Sequence, residues 1–339
     1  MKKYIDAFWL DSNRGMGRYA KIYSQVCNAS FVFPNITRIS NRKILYLYYI
    51  LWEQLFFQLK HILISSKELV FAYNTPPLIK IGSYRCVLII HDLIFFDEIG
   101  SSGSLSSKLL SIYRRFALIY GIGNVDKLVF VSDTTKKIFF ERFKFNIDYD
   151  IVPNKVIMKK QVLSFNISRV NNNNMNLLFV TGKTSNKNIE GLNKLLKRIE
   201  TENQTSSKKI HAHIIGINEK AIDINNPNIT LYTNCSEETK NALFRSVDFF
   251  ISISIQEGFG IPIIEAGINK TPIICSNIPV YREICDNYAI YVNPLSTEDI
   301  YKVIEELKNT NNPKLKKVIN SNKEQMYLKC LSNYSLCEI

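Results

Sequence analysis

Short apolar runs alternate along the whole chain with longer amphipathic stretches, and turn residues separate one from the other. Such alternation is typical of βα units, which build parallel sheets covered by helices. Strands are predicted at 4–10, 69–73, 86–91, 127–132 and 149–152 in the first half, and at 176–181, 210–215, 229–232, 247–253, 272–275 and 289–292 in the second. The pattern predicts an α/β protein made of two Rossmann-like domains that face each other.

The length of 339 residues suits two domains of about 150 residues each. Four consecutive asparagines, Asn171–Asn174, form the best linker candidate, because asparagine favours turns and does not support a core. We expect one domain over 1–165, a second over 166–320, and a C-terminal tail over 321–339.

Composition narrows the class of protein. Apolar residues make up 46% and charged residues 22% of the chain, as in soluble globular proteins. The first ten residues read as a buried strand rather than a secretory signal. The seven cysteines are scattered without a CxxC pair, which argues against a disulfide scaffold or a zinc site and favours a reducing cytoplasm.

The formal net charge is +13, and the excess lies in the first half. Residues 1–170 contain 24 Lys and Arg against 12 Asp and Glu, whereas residues 171–339 contain 19 against 18. Such a charge favours a polyanionic partner: nucleic acid, an anionic bilayer surface or phosphorylated ligands. A solvated surface that serves only solubility is the alternative.

The aromatic-rich segment 44–64 is long enough to span a bilayer, but it contains polar residues that are costly there, among them Glu53, Lys60 and His61. A helix packed in the core is favoured, and a helix lying in the membrane interface is the alternative.

Three loops that follow predicted strands could bind anions or sugars. Gly15, Gly17 and Arg18 form a G-x-G-x-x-A turn, but residues 31–42 lack the acidic residue that a dinucleotide site requires, so an anion loop or a tight turn remains. His91 ends an apolar strand, where it either contacts a ligand or is a structural histidine. Lys183 and Lys187 flank a turn that could neutralise a diphosphate.

The fourth motif is the most specific. Glu257 and Glu265 bracket a glycine-rich turn and the start of a helix in the string EGFGIPIIEA. A helix N-terminus offers backbone N–H groups to an anion, while carboxylates accept hydrogen bonds from sugar hydroxyls.

At these residues the chain resembles retaining glycosyltransferases of family 4, which have the GT-B fold of two Rossmann-like domains facing a central cleft. The resemblance includes WEQLFF at 52–57, AYNTPPL at 72–78, HDLIFF at 91–96, GKTSNKN at 182–188 and PIICSNIPVYREI at 272–284. The combination looks most like the mannosyl- and rhamnosyltransferases that build bacterial O-antigen and capsule.

The resemblance implies a role for each matching residue. Glu257, His91 and Lys187 would be catalytic: Glu257 and His91 would contact the transferred sugar, and Lys187 the diphosphate. The donor would also contact Lys183, Gly258, Phe259, Gly260 and Glu265, of which Glu265 would bind the ribose. Gly15, Gly17 and Arg18 would lie beside the acceptor and the phosphates.

Asp148 and Asp150 form a DxD triplet, which holds a metal ion in another glycosyltransferase fold. Because the lysines and the helix start already supply positive charge, we interpret it as a coincidence and expect neither metal nor cofactor.

We therefore expect a cytoplasmic enzyme, peripheral on the inner face of the membrane, that moves a hexose from a nucleotide sugar to a lipid-linked oligosaccharide. A sugar-nucleotide epimerase or phosphorylase of the same fold is the alternative. A nucleic-acid binder is less favoured, because no recognition motif is present.

Overall fold

The computed structural model describes residues 2–10, 15–34, 41–62, 68–97, 105–158, 173–218, 221–222, 226–310 and 313–337. The chain divides into two compact units, Met1–Lys155 and Val156–Ile339. The domain boundary predicted between residues 165 and 166 lies outside the described residues.

The first unit contains a six-stranded parallel sheet in the order β2-β1-β3-β4-β5-β6. Its strands are β1 (Lys3–Asp6), β2 (Ser30–Val32), β3 (Glu68–Phe71), β4 (Arg85–Ile90), β5 (Lys127–Phe130) and β6 (Asp148–Ile151). Because the strands are parallel, the residues that follow β1, β3 and β4 meet at one edge, where ligands of such sheets bind. That edge includes His91.

The helices of the first unit are α1 (Gly15–Cys27), α2 (Arg42–Leu51), α3 (Phe57–Leu59), α4 (Leu105–Gly121) and α5 (Asp133–Arg142). A π-helical turn, Trp52–Phe56, joins α2 to α3, and 3-10 turns lie at Ile94–Phe96 and Ile122–Asn124. Ser132 caps α5 by accepting a hydrogen bond from the N–H of Thr135 at 3.0 Å.

The segment 44–64 packs one face into the core, as predicted, over its described part. Trp52 and Phe57 are buried, and the Trp52 Nε1–H donates to Asp6 Oδ1 at 2.7 Å. Glu53 is fully buried and accepts a hydrogen bond from the Tyr49 hydroxyl at 2.5 Å. Burial raises the pKa of Asp6 to about 7. In the described part of the chain, no helix combines the length and the apolar character needed to cross a bilayer.

The second unit begins with β7 (Val156–Met158) and contains a six-stranded parallel sheet in the order β10-β9-β8-β11-β12-β13. The sheet strands are β8 (Met175–Val180), β9 (Ile210–Ile215), β10 (Ile229–Tyr232), β11 (Phe249–Ser252), β12 (Ile273–Ser276) and β13 (Ile290–Val292). The helices are α6 (Ile189–Thr205), α7 (Glu237–Ser246), α8 (Ile261–Ile268), α9 (Pro279–Cys285), α10 (Thr297–Asn309) and α11 (Pro313–Tyr334).

The segment predicted as a C-terminal tail is regular structure as far as residue 337. Helix α11 packs against α8 through Met326 and Cys330, both buried. Strand β14 (Ser335–Cys337) then pairs in parallel with β7. The residues from 321 to 337 are therefore an integral part of the second unit.

Every strand predicted from the sequence is present, and the ends shift by no more than two residues except in β1, which ends at Asp6. Strands β2, β7 and β14 were not predicted. Each has only three residues, so its apolar pattern is too short to stand out from a loop.

Candidate active site

Two neighbouring loops of the second unit carry the most specific sequence motifs. Strands β8 and β11 are hydrogen-bonded neighbours, so the loops that follow them leave the sheet side by side. The Ile255 N–H donates to Asn186 O at 2.8 Å, and Asn186 Nδ2 donates back to Gln256 O at 2.9 Å. These bonds hold the loop 182–188, which contains Lys183 and Lys187 and is called the lysine loop below, against the start of the EGFG turn.

The juxtaposition of the loops brings Lys187 to Glu257. Lys187 Nζ donates to Glu257 Oε1 at 2.5 Å, and the two side chains remain 23% and 11% exposed. An ammonium group has three N–H donors, and this contact uses one of them. The pair therefore presents a cation with further donors beside a carboxylate that accepts from hydroxyls. Lys183 lies in the same loop and is exposed.

The EGFG turn is fixed by packing beneath it. Gly260 has a φ of 102°, and a Cβ at this position would lie 2.7 Å from Cε1 of Tyr281. Tyr281 is itself buried and hydrogen-bonded to Ser252 Oγ through its hydroxyl at 2.7 Å. The Phe259 ring packs edge-on against Tyr334, with centroids 5.6 Å apart. The Phe259 side chain therefore anchors the turn, and only the backbone of Phe259 would be available to contact a bound nucleotide sugar.

The N-terminus of α8 offers fewer donors than the sequence suggests. Gly260 is the N-cap, Pro262 has no N–H, and the Ile263 N–H donates to Gly260 O at 3.0 Å. An anion at this end of α8 would therefore depend on backbone N–H groups of the turn that precedes the helix.

Glu265 contacts a residue that the sequence analysis did not single out. It lies in α8 with 3% exposure, and its Oε1 accepts from Nζ of Lys240 at 2.8 Å. Lys240 is 8% exposed and lies in α7. A carboxylate buried this deeply requires a cation or several donors. The buried Glu265 therefore needs a partner, but no pattern in the sequence identifies Lys240 as that partner.

In the first unit, His91 directly follows β4 at the edge of the sheet where the strands end. Burial lowers its pKa to about 4, so the ring is neutral at pH 7. Nε2 lies 2.8 Å from Ala72 O, and since a carbonyl only accepts, Nε2 carries the proton. Nδ1 is thereby an acceptor, suited to receive a hydrogen bond from a hydroxyl.

The glycine loop opens α1, which begins at Gly15, while residues 11–14 lie outside the described part. Gly17 is buried and Arg18 is half-buried. The next residue, Tyr19, packs edge-on against His91 with ring centroids 5.0 Å apart. The structure thus brings α1 and His91 together within one unit.

Asp148 and Asp150 lie on the edge strand β6 and are exposed. Asp148 Oδ2 contacts Arg85 at 3.1 Å, and Asp150 Oδ2 contacts Lys127 at 2.8 Å. Both carboxylates are engaged in surface ion pairs.

The chain is similar to known glycosyltransferases in part of its sequence and in its fold. Residues 163–326 match the family described as glycosyl transferases group 1. In solved structures, the chain is similar over 99% of its length to sucrose-phosphate synthase from Thermosynechococcus elongatus (95% of that chain, TM-score 0.69, 11% identity). It is similar over 98% of its length to WaaG, a glycosyltransferase involved in lipopolysaccharide biosynthesis (95% of that chain, TM-score 0.66, 14% identity). The fold is GT-B, as predicted.

The family match covers just under half of the chain and lies within the second unit. Among curated relatives, the O-antigen chain mannosyltransferase RfbU of Salmonella typhimurium is 53% identical over 57 residues. That match covers 16% of this chain and 16% of the relative.

Proposed function

We propose that the protein is a retaining glycosyltransferase that moves a hexose, with mannose favoured, from a nucleoside diphosphate sugar to a lipid-linked glycan of a surface polysaccharide. The ion pair of Lys187 and Glu257, within a group 1 glycosyltransferase domain, carries this proposal. An ammonium group suits a diphosphate and a carboxylate suits sugar hydroxyls. The local similarity to an O-antigen chain mannosyltransferase supports mannose.

In the proposed reaction, the bond between the anomeric carbon and the diphosphate oxygen breaks while the acceptor oxygen bonds to the same face of that carbon. The acceptor proton passes to the departing diphosphate, so no protein nucleophile is required. The protein contributes by stabilising the charge that develops on the leaving group. Lys187 and the backbone N–H groups of the EGFG turn would supply that stabilisation.

A donor screen without metal tests the proposal. We expect a nucleoside diphosphate hexose to raise the Tm, because a ligand that binds only the folded state adds about 2.7 kcal/mol at 100 times its Kd. In excess EDTA, the purified protein should still transfer the hexose to a lipid-linked acceptor. An epimerised sugar or a sugar phosphate as product would instead favour the alternative enzymes. Activity lost in EDTA and restored by manganese would reassign Asp148 and Asp150 as ligands.

Glu265→Ala should weaken binding of the free nucleoside diphosphate about 10- to 100-fold, because a charged hydrogen bond to a ribose hydroxyl contributes roughly 1.5–3 kcal/mol. Isothermal titration measures this change. Glu190→Ala, which removes an exposed carboxylate of α6, is the matched control. Equal affinity in the two variants would contradict the ribose assignment.

We also propose that the first unit works at an anionic membrane surface. Two of its helical segments contact each other, and Gln54 Nε2 donates to the Tyr113 hydroxyl between them at 2.8 Å. Each segment exposes apolar side chains at a spacing of about three to four residues, typical of one helix face. The exposed residues are Ile44, Leu47, Leu51, Leu55, Leu59 and Ile62 in the first segment, and Leu109, Ile112, Phe116, Ile119 and Tyr120 in α4.

The charges of these two segments suit an anionic bilayer. Glu53 is the only acidic residue in 42–62 and 105–121, and it is buried. Lys43 and Lys108 are exposed near the starts of the two segments. Apolar side chains that enter the headgroup region, together with basic residues worth about 1 kcal/mol each near the surface, give salt-sensitive binding.

The protein should co-sediment with vesicles of phosphatidylcholine and phosphatidylglycerol, and high salt should release most of it. The double variant Leu47→Glu and Phe116→Glu should pellet far less, without a change in Tm, because both side chains are exposed. Leu328→Glu, at a similarly exposed position of α11, should bind as the unmodified protein does. Equal pelleting with purely neutral vesicles, or none with either kind, would contradict membrane docking.

A further inference from the structure

A cavity of about 400 Å³ lies at the carboxyl ends of β12 and β13. It is lined by residues that the donor site described above does not use. Its lining combines an arginine, an aspartate and two asparagines with an aromatic ring, a valine and a proline. This mixture differs from the lysine and glutamate pair of the donor site, and it suits a ligand of its own.

The arginine of this cavity is held in a fixed orientation. The Arg282 guanidinium stacks over the Tyr291 ring at 3.6 Å from its centroid, and its Nε–H donates to Asn277 Oδ1 at 2.8 Å. A guanidinium has five N–H donors in one plane, and this bond uses one. Stacking and tethering fix that plane before any ligand arrives, which lowers the entropic cost of binding.

The aspartate is also positioned by one of its oxygens. Asp299 Oδ2 accepts from the Asn293 N–H at 2.8 Å. Within the described ranges, Arg282 and Asp299 line the same cavity without an ion pair within 4.0 Å. A cation and an anion therefore line the same cavity without being paired with each other.

The lining decides the chemical class of that ligand. An anion would be repelled by Asp299 and a cation by Arg282, so a molecule that carries only one kind of charge meets a like charge on one side of the cavity. A neutral polyhydroxylated ring suits both, because each hydroxyl donates to a carboxylate and accepts from a guanidinium. The C–H groups of such a ring can pack against Val292 and Pro294. We propose that this cavity binds a neutral hexopyranose unit of a glycan.

The cavity is connected to the donor site through the lysine loop. Asn188 follows Lys187, and its Nδ2 donates to Pro294 O, at the rim of the cavity, at 2.7 Å. Asn188 has a left-handed φ of 53° and caps α6 through its Oδ1. A sugar bound against Pro294 would therefore contact the hydrogen-bond partner of Asn188, the residue that follows Lys187. Resting on the proposed transferase function, the inference assigns this subsite to a sugar of the acceptor glycan other than the one that receives the hexose.

The test uses mannotetraose as the probe, titrated calorimetrically into the full chain saturated with free nucleoside diphosphate. Arg282→Gln and Asp299→Asn should each weaken mannotetraose binding at least tenfold while leaving nucleoside diphosphate affinity unchanged. Arg245→Gln is the matched control, because Arg245 is an exposed arginine of the same unit that also bonds to an asparagine. It should bind mannotetraose as the unmodified protein does.

The outcomes separate this proposal from the transferase assignment. Mannotetraose affinity unchanged in both Arg282→Gln and Asp299→Asn would overturn the subsite, as would tighter binding of mannose 6-phosphate than of mannotetraose. If Arg282→Gln lowers the Tm, because its stacking on Tyr291 is lost, Asp299→Asn decides alone. Mannotetraose binding that depends on both residues in a protein with no affinity for any nucleotide sugar would support the subsite and refute the transferase function.

Discussion

Lys187→Ala and Glu257→Ala are each expected to reduce kcat by about 100- to 1,000-fold, the loss typical when one electrostatic contact to a developing charge is removed. Lys187 would no longer stabilise the leaving diphosphate, and Glu257 would no longer orient the transferred sugar. Both side chains are partly exposed, so the fold should persist, which circular dichroism and the Tm can check. Steady-state transfer with a labelled donor measures the loss.

Lys183→Ala is the comparison for this experiment, since Lys183 lies in the same loop but is exposed and is expected to contact the donor without being catalytic. We expect a clearly smaller effect from it. Near-normal turnover in a folded Lys187→Ala or Glu257→Ala variant would refute the catalytic assignment, whatever the family of the domain.

Gly260→Ala should reduce the free energy of unfolding by about 2–5 kcal/mol. The left-handed backbone conformation costs an alanine roughly 1–2 kcal/mol, and overpacking adds roughly 1–3 kcal/mol. The new Cβ would lie 2.7 Å from the Tyr281 ring. Because the Tyr281 hydroxyl is hydrogen-bonded to Ser252, the ring cannot move away freely. The turn that carries Glu257 would shift instead, so transfer activity should fall as well.

Urea unfolding measures the change at Gly260, and Gly123→Ala provides the comparison. A Cβ at Gly123 would meet no atom within 4 Å, so this variant should unfold within about 1 kcal/mol of the unmodified protein. Equal stability of the two variants would mean that Tyr281 does not constrain the EGFG turn.

The sequence predicts the two parallel sheets well, because their strands are continuous apolar runs between turn residues. Strand β4, for example, buries every side chain after Arg85. Its apolar run is therefore visible in the sequence without knowledge of the strands that it pairs with. Strand β2 escapes prediction because its conformation depends on pairing with β1. Strand β14 depends in the same way on β7, far away in the sequence.

Part of the candidate site is likewise predictable from the sequence, and part is not. Glu257 and Lys187 were predicted separately from local motifs, and their contact across 70 residues follows from the adjacency of β8 and β11. Lys240 and Tyr281 were not predicted. Each supports a motif residue from another element, Lys240 by pairing with Glu265 and Tyr281 by packing beneath Gly260. Such partners belong to tertiary structure and leave no periodic signal in the chain.

The pairing of β14 with β7 has a consequence for the order in which the protein folds. Every strand pairing of the first sheet lies within the first 151 residues, so that unit can fold while the ribosome is still translating the second. The second unit must wait for Ser335 to reach Val156, a closure of high contact order that is intrinsically slow. Until then α8, which contacts both β7 and α11, lacks part of its packing, and the nascent chain exposes apolar surface to chaperones. The helix that begins beside the EGFG turn is therefore among the last parts of the protein to gain its full packing.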